Sequence, residues 1–205
     1  MKKITITTFA LMLIIVSQAQ VNVGIKTGLT VANQNRKDHE DYYEQSTKAR
    51  TTFHIGVFAD MKISGNVYAQ PGIVFTGKGA EHTSSYSGTE TDFKMTYIDL
   101  PLNVVYKYPM SFGKIYAGGG PVISFATGGE ISQKGKSKKM FGDTNDDYKR
   151  GDFGFDLLAG VELSNGFVAG ISYQSGFLDI YKHEAAKIKN RTFNLSVGYL
   201  INRRK

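Results

Sequence analysis

Beyond its first twenty residues the chain is organised by alternation. Eight blocks of about 10 to 14 residues set apolar side chains against small or polar ones at a period of two, which is the spacing of a strand with one greasy face. The first block places Val21, Val23, Ile25, Leu29 and Val31 opposite Asn22, Gly24, Lys26, Gly28 and Thr30. The second sets Phe53, Ile55, Val57, Ala59 and Met61 against His54, Gly56, Phe58 and Asp60, and the third sets Val67, Ala69, Ile73 and Phe75 against Tyr68, Gln70, Gly72 and Thr76. Ile98, Leu100, Leu102, Val104, Tyr106 and Tyr108 form the greasy set of the fourth, with Asp99, Asn103 and Lys107 among the opposing residues. The fifth runs from Lys114 to Thr127 around Ile115, Ala117, Ile123 and Phe125. In the sixth Phe153 to Leu163 alternate with Asp152, Asp156 and Glu162; in the seventh Phe167 to Tyr173 alternate with Gly170, Ser172 and Gln174; in the eighth Phe193 to Ile201 alternate with Thr192, Asn194 and Ser196.

The connections fall into two kinds. Ser64-Gly65-Asn66, Pro109-Met110-Ser111-Phe112-Gly113 and Ser164-Asn165-Gly166 read as tight turns, because Gly, Asn and Pro supply the backbone geometry that such turns need. Between them lie long polar stretches, about 33–50, 79–91, 128–150 and 178–190, read as loops. Short turns alternating with long loops, on an even number of strands, predict an all-β fold: an eight-stranded antiparallel up-and-down barrel that crosses a membrane, its long loops outside the cell.

Aromatic placement agrees with a barrel in lipid. Of 13 Phe and 12 Tyr, Tyr106, Tyr108, Phe112, Tyr116, Phe167 and Tyr199 stand near the short-turn end, while Phe53, Phe75, Phe125, Phe153, Phe177 and Phe193 stand near the long-loop end. Two such girdles bracket the apolar band of an outer-membrane barrel.

The residues before the first block change the compartment. Lys2 and Lys3, then Ile4 to Val16, then Ser17-Gln18-Ala19 have the basic, apolar and small-x-small order of a cleavable export signal. Residues 1–19 are expected to be the signal peptide and residues 20–205 the barrel domain. Downstream no apolar run reaches the length of a spanning helix, so a spanning chain must close as a barrel. There are no cysteines, hence no disulfide framework and no thiolate metal site. The formal charge of +7 falls to +5 without Lys2 and Lys3, and the excess is concentrated at Lys134, Lys136, Lys138 and Lys139 and at Arg203-Arg204-Lys205. Such clusters on an exported barrel suit anionic lipid headgroups or acidic polysaccharide better than nucleic acid, and a solvated loop without a partner fits them equally.

If the greasy face meets lipid, the inward face carries Lys26, Asp60, Asn103, Lys107, Asp156, Glu162, Gln174 and Asn194. Eight strands leave an interior that side chains fill. We therefore expect buried ion pairs and a closed lumen, with Lys26 paired to Asp99, Asp156 or Glu162.

Several stretches resemble the PorT-like outer-membrane β-barrel family common in Bacteroidota: 96–102 (TYIDLPL), 116–121 (YAGGGP), Asp152-Phe153-Gly154 with 159–163 (AGVEL), 172–180 (SYQSGFLDI) and 189–193 (KNRTF). The resemblance spans nearly the whole chain after the leader. It implies the barrel fold and the outer membrane of a Gram-negative bacterium, and it carries no activity with it. The chain departs from a terminal-aromatic assembly signal, ending Asn202-Arg203-Arg204-Lys205, which leaves Tyr199 or Ile201 to serve internally.

Chemistry would need a nucleophile, or carboxylates with a histidine, at the outer rim. Asp38-His39-Glu40-Asp41, His82, and Asp179 with His183-Glu184 are the candidates, and none has a spacing that a mechanism fixes. Asp143-Thr144-Asn145-Asp146-Asp147 begins like a calcium loop, but Tyr148 and Gly154 stand where its glycine and closing glutamate belong. Gly77-Lys78-Gly79 and Gly118-Gly119-Gly120 lack the strand-to-helix setting of a phosphate loop. No catalytic, cofactor or metal residue is assigned. The reading is a non-enzymatic barrel with a structural, adhesive or secretion-accessory role, in contact with outer-membrane lipid and, through its loops, with envelope proteins or surface polysaccharide. Two alternatives remain: a soluble lipocalin-like barrel binding a lipid or other hydrophobic ligand, with its greasy face inside, and a rim hydrolase.

Overall fold

A computed structural model describes residues 21–38, 46–83, 90–133, 135–141, 148–182 and 186–201. The alternating blocks form β1 (Val21–Asp38), β2 (Ser46–Ser64), β3 (Val67–Thr83), β4 (Glu90–Met110), β5 (Gly113–Gln133), β7 (Gly151–Leu163), β8 (Phe167–Gly176) and β9 (Ala186–Leu200). Each pairs antiparallel with the next of this series, and β1 pairs with β9, so the eight close into a ring. Closure leaves no unpaired edge within a membrane, where water is absent to satisfy one. A further short strand, β6 (Lys136–Lys139), hairpins back onto Glu130–Gln133 at the outer end of β5. The segment expected as an all-polar loop thus contributes a strand to the rim.

The tight turns lie where the sequence places them, although Pro109 and Met110 belong to β4 and leave Ser111-Phe112 as the whole β4–β5 turn. At the other end the strands run further than expected. Residues 33–38, 46–50, 79–83, 90–91, 128–133 and 186–190, read as loop, are strand. Six strands therefore rise roughly 20 Å along their own length past the aromatic girdle, at about 3.3 Å per residue.

The faces invert on the way up. From Ile98 to Tyr108 β4 points Leu100, Leu102, Val104, Tyr106 and Tyr108 outward and Asp99, Asn103 and Lys107 inward, with Pro101 and Val105 between them; from Phe93 to Tyr97 it points Phe93, Met95 and Tyr97 inward, with Lys94 and Thr96 outward. On β9 the outward row changes from Lys187, Lys189 and Arg191 to Phe193, Leu195, Val197 and Tyr199. On β5 a bulge manages the change: Tyr97 pairs with Ala126 and Thr96 with Gly128, so Thr127 is extra and Ala126 and Ile131 both turn inward. The level of inversion is the lipid boundary. Below it lies a belt that includes Phe53, Leu102, Leu157 and Val197, each more than half exposed. Above it lies a collar folded like a water-soluble protein.

One girdle residue is corrected. Tyr116 faces the lumen, where Gly160 and Gly170, paired across β7 and β8, make room for it. A Cβ on either would lie 2.5 or 2.6 Å from its hydroxyl. The signal was present, since Tyr116 stands between the outward Ile115 and Ala117.

Candidate functional site: the closed lumen and the collar

The lumen is crossed by polar side chains in three tiers. In the tier nearest the short turns, Lys107 sits between Asp60 at 2.7 Å and Glu162 at 2.6 Å, and Lys114 reaches the other oxygen of Glu162 at 3.3 Å. Gln70 donates to Asp60, and the Lys107 ammonium lies over the ring of Tyr68. These contacts tie β2, β3, β4, β5 and β7 across the bore. Lys107, Asp60 and Glu162 are all buried, so each charge depends on the others for the solvation that water would supply.

The middle tier is built on hydrogen bonds. His54 is held between the hydroxyls of Thr30 and Ser196 at 3.0 Å each, Thr30 donates to Asn194, and Asn194 donates to Ser172. Asn103 donates to Asp156 at 3.1 Å. Lys26 enters here, and the ion pair expected for it does not form. Asp99 is taken by Lys78 at 2.8 Å, Glu162 by Lys107, and Asp156 by Asn103. Lys26 and Asp156 instead line two cavities of ≈ 50 and ≈ 30 Å³, with room for a few waters each.

In the outer tier Lys78 also donates to Ser124, Asn190 bridges Asp152 and the Tyr97 hydroxyl, and Gln34 donates to Asn190. Above it the bore is stoppered by an apolar cluster. Phe93, Met95, Tyr97, Ala126 and Ile188 from the strands pack with Met140, Phe141, Tyr148 and Ile180 from the two connections that fold over the mouth. Those connections are joined by a Tyr148–Tyr181 bridge and by the Lys149 N–H donating to the Ile180 carbonyl.

Those residues considered for chemistry that the structure describes have structural roles. His82 is buried in the collar, edge-on to Phe93 with ring centroids 5.0 Å apart. Asp179 accepts the backbone N–H groups of Tyr181 and Ile188 at 3.0 and 2.9 Å, so its carboxylate shapes a turn. Asp38 ends β1, whereas His39, Glu40, Asp41, Asp143 to Asp147, His183 and Glu184 lie outside the described residues, as do residues 1–20, Lys134 and the C-terminal basic cluster. Lys78 of Gly77-Lys78-Gly79 is a lumen residue, and Gly118 to Gly120 lie within β5. Among the described residues no group of His, Asp or Glu is arranged to hold a metal ion.

The outer surface of the collar carries a charge group centred on Asp92 and, among the described residues, a looser Lys48–Glu90 pair at 4.0 Å. Asp92 receives Arg50 and, at 3.2 Å, Lys94. Partial burial opposes its ionisation, but the hydrogen bonds and charges of Arg50 and Lys94 prevail and hold its carboxyl below the usual carboxylate range.

The family model for the outer membrane protein beta-barrel domain matches residues 16–182. The chain belongs to that family. No curated protein matches it. Among solved structures, OprG, an outer membrane protein of Pseudomonas aeruginosa, aligns over 89% of this chain and 96% of its own at 9% identity with a TM-score of 0.50. Ail, the attachment invasion locus protein of Yersinia pestis, aligns over 87% and 97% at 16% identity with a TM-score of 0.45, and Neisserial surface protein A over 87% and 97% at 13% with 0.46. At these identities the likeness is one of fold. The soluble lipocalin-like alternative is overturned, because it requires the greasy face inside and this barrel carries that face outside, as the outer-membrane family does.

Proposed function

We propose that this outer membrane β-barrel is a non-enzymatic surface protein of the PorT-like kind, exported by a leader at residues 1–19, whose collar is an adhesive or accessory contact surface. The carrying observation is the pairing of a stoppered lumen with a folded collar. The bore is crossed by the Lys107 ion-pair tier and closed by the Phe93 cluster, which speaks against passage of solutes. Six strands are prolonged outside the lipid belt to build a rigid rim, an arrangement that serves presentation of a surface. Its partners are read as envelope proteins or surface polysaccharide.

Because the chain has no cysteine, a single Cys placed on the rim gives a clean cross-linking handle. Lys136→Cys on β6 is expected to capture a defined partner from intact cells, while Val197→Cys in the lipid belt captures none. Identical capture patterns from the two positions would sink the contact-surface reading. Steady openings in a planar bilayer would sink the closed-lumen part of it.

A further inference from the structure

One feature of the collar is not explained by presentation alone. A groove of ≈ 890 Å³ opens on its outer side, where β2, β3, β4, β5 and β6 meet the top of the aromatic girdle. Its lining takes in Phe53 on β2 and Phe75 on β3, both outward-facing members of the lipid belt, and, beyond β4 and β5, Lys138 and Lys139 on β6. The groove is deep because the wall is interrupted. On β2 the ladder to β3 passes from Ala49–Ala80 directly to His54–Thr76 with a change of register, which brings Met95 and Lys78 from the lumen side into the floor. Gly79 lies at this interruption with φ +132°, and a Cβ on it would lie 1.9 Å from the Phe93 carbonyl oxygen, so the backbone there is committed to the shape.

The chemistry of the lining is one-sided. Arg50, Lys94, Lys138, Lys139 and Arg150 converge on it, and among the described residues the carboxylates beside them are Glu130 and Asp92. With Lys78 set aside because it is paired with Asp99, five cations face two carboxylates among the described residues, an excess of three positive charges. Arg150 is held by the Ala126 carbonyl at 3.3 Å and lies over the Phe141 ring, so part of the charge is pre-positioned. Lys138 and Lys139 are exposed.

We propose that this groove binds the phosphorylated sugar headgroup of an outer-leaflet glycolipid. Two observations select a lipid over a soluble anion: one lining joins outward-facing Phe53 and Phe75 to the cations Arg50 on β2, Lys94 on β4 and Lys138 and Lys139 on β6, and the inversion of strand faces puts the boundary between acyl chains and headgroups at this height. A glycolipid seated here lays its chains on the aromatic belt and its phosphate among the lysines, where charge-assisted hydrogen bonds form at the edge of a low-dielectric medium. The inference needs the barrel in lipid, which the family establishes, and is independent of what the collar contacts.

The test uses the full barrel in detergent micelles and native mass spectrometry with bisphosphorylated lipid A as the probe. The wild type is expected to retain one copy at an affinity about tenfold above that for dephosphorylated lipid A, the factor expected of one lost charge-assisted hydrogen bond. Lys138→Ser with Lys139→Ser lowers the affinity by a similar factor, Lys138→Arg with Lys139→Arg restores it, and Lys187→Ser with Lys189→Ser on the rim of β9 leaves it unchanged. Equal retention of the two lipids overturns the proposal without recourse to any variant. Equal loss in the β9 variant overturns it as well, as does full competition by a soluble sulfated disaccharide, which would assign the groove to a polysaccharide.

Discussion

The same strands build two regions that obey opposite rules. Within the lipid belt, β4 turns Leu100, Leu102 and Val104 outward and Asp99, Asn103 and Lys107 inward; in the collar it turns Phe93 and Met95 inward and Lys94 outward. The β3–β4 ladder keeps one register through both, so the backbone there is indifferent to the change. What differs is the solvent. Where lipid surrounds the barrel, apolar side chains gain nothing by hiding and the polar ones must be gathered inside and paired. Where water surrounds it, the hydrophobic effect returns and drives Phe93, Met140, Phe141 and Ile180 into the bore. The two interiors are therefore held by different forces, and each can be broken separately.

The largest effect is expected in the lumen. Lys107→Met leaves Asp60 buried without its cation and Glu162 with Lys114 alone, and is expected to cost about 3–5 kcal/mol, read from guanidinium unfolding in lipid. Adding Asp60→Asn and Glu162→Gln to that variant should recover most of the loss, because the unpaired charges go with the pair. An unchanged unfolding midpoint in Lys107→Met would mean that the tier does not hold the barrel together. In the collar, Phe93→Ala removes a ring from the stopper at a comparable cost for a buried aromatic, about 3–5 kcal/mol, but that cost falls on the collar alone. Its signature is faster protease cleavage at the outer connections with an unaltered heat-dependent gel shift of the barrel. Loss of the gel shift would show that the regions unfold as one.

The boundary between them can be located by charge. Leu102→Lys, at mid-height on the outward face of β4, should destabilise by about 2–4 kcal/mol, whereas Thr96→Lys, on the same face of the same strand above the boundary, should cost about 0–1 kcal/mol. Equal costs would place Thr96 in lipid and move the boundary outward.

How much of this was legible follows from the same physics. Alternation and tight turns are local, so the eight strands and the face of nearly every residue could be read directly. The collar reads as loop because its outward row is polar, and the greasy outward faces stop at Ile98, Phe125 and Phe193. Yet Phe93, Met95 and Tyr97 alternate with Asp92, Lys94 and Thr96, which is the same period with the sign reversed. The ion pairs were less accessible. Alternation says that Lys26 points inward, but the stagger of strands around a closed ring decides which carboxylate it meets, and Lys78, which sits between two glycines, reaches Asp99 instead. β6 gave no signal in the sequence: four residues with three lysines form a strand because β5 extends past the end of β7 and offers an open edge.

The smallest effect tests whether the collar's outer surface has a fixed order of its own. Asp92 is partly exposed, so its links to Arg50 and Lys94 are screened and contribute at most about 1 kcal/mol. Its carboxyl is held below the usual range in the folded collar, so the folded state binds its proton less readily than the unfolded chain does. The stabilisation is then fully present above the ordinary carboxylate value near pH 4 and is lost as the pH falls through the lower folded value. Protease sensitivity of the outer connections, followed from pH 6 to pH 3 with an acid-tolerant protease, should rise below about pH 4 in the wild type. In Asp92→Asn it should be higher at pH 6 and show less of that rise. Since Arg50 stands on β2 and Asp92 on β4, the link spans the interrupted β2–β3 ladder, and a wild type whose collar is equally resistant at both pH values would show that the wall at this point is held by its backbone alone.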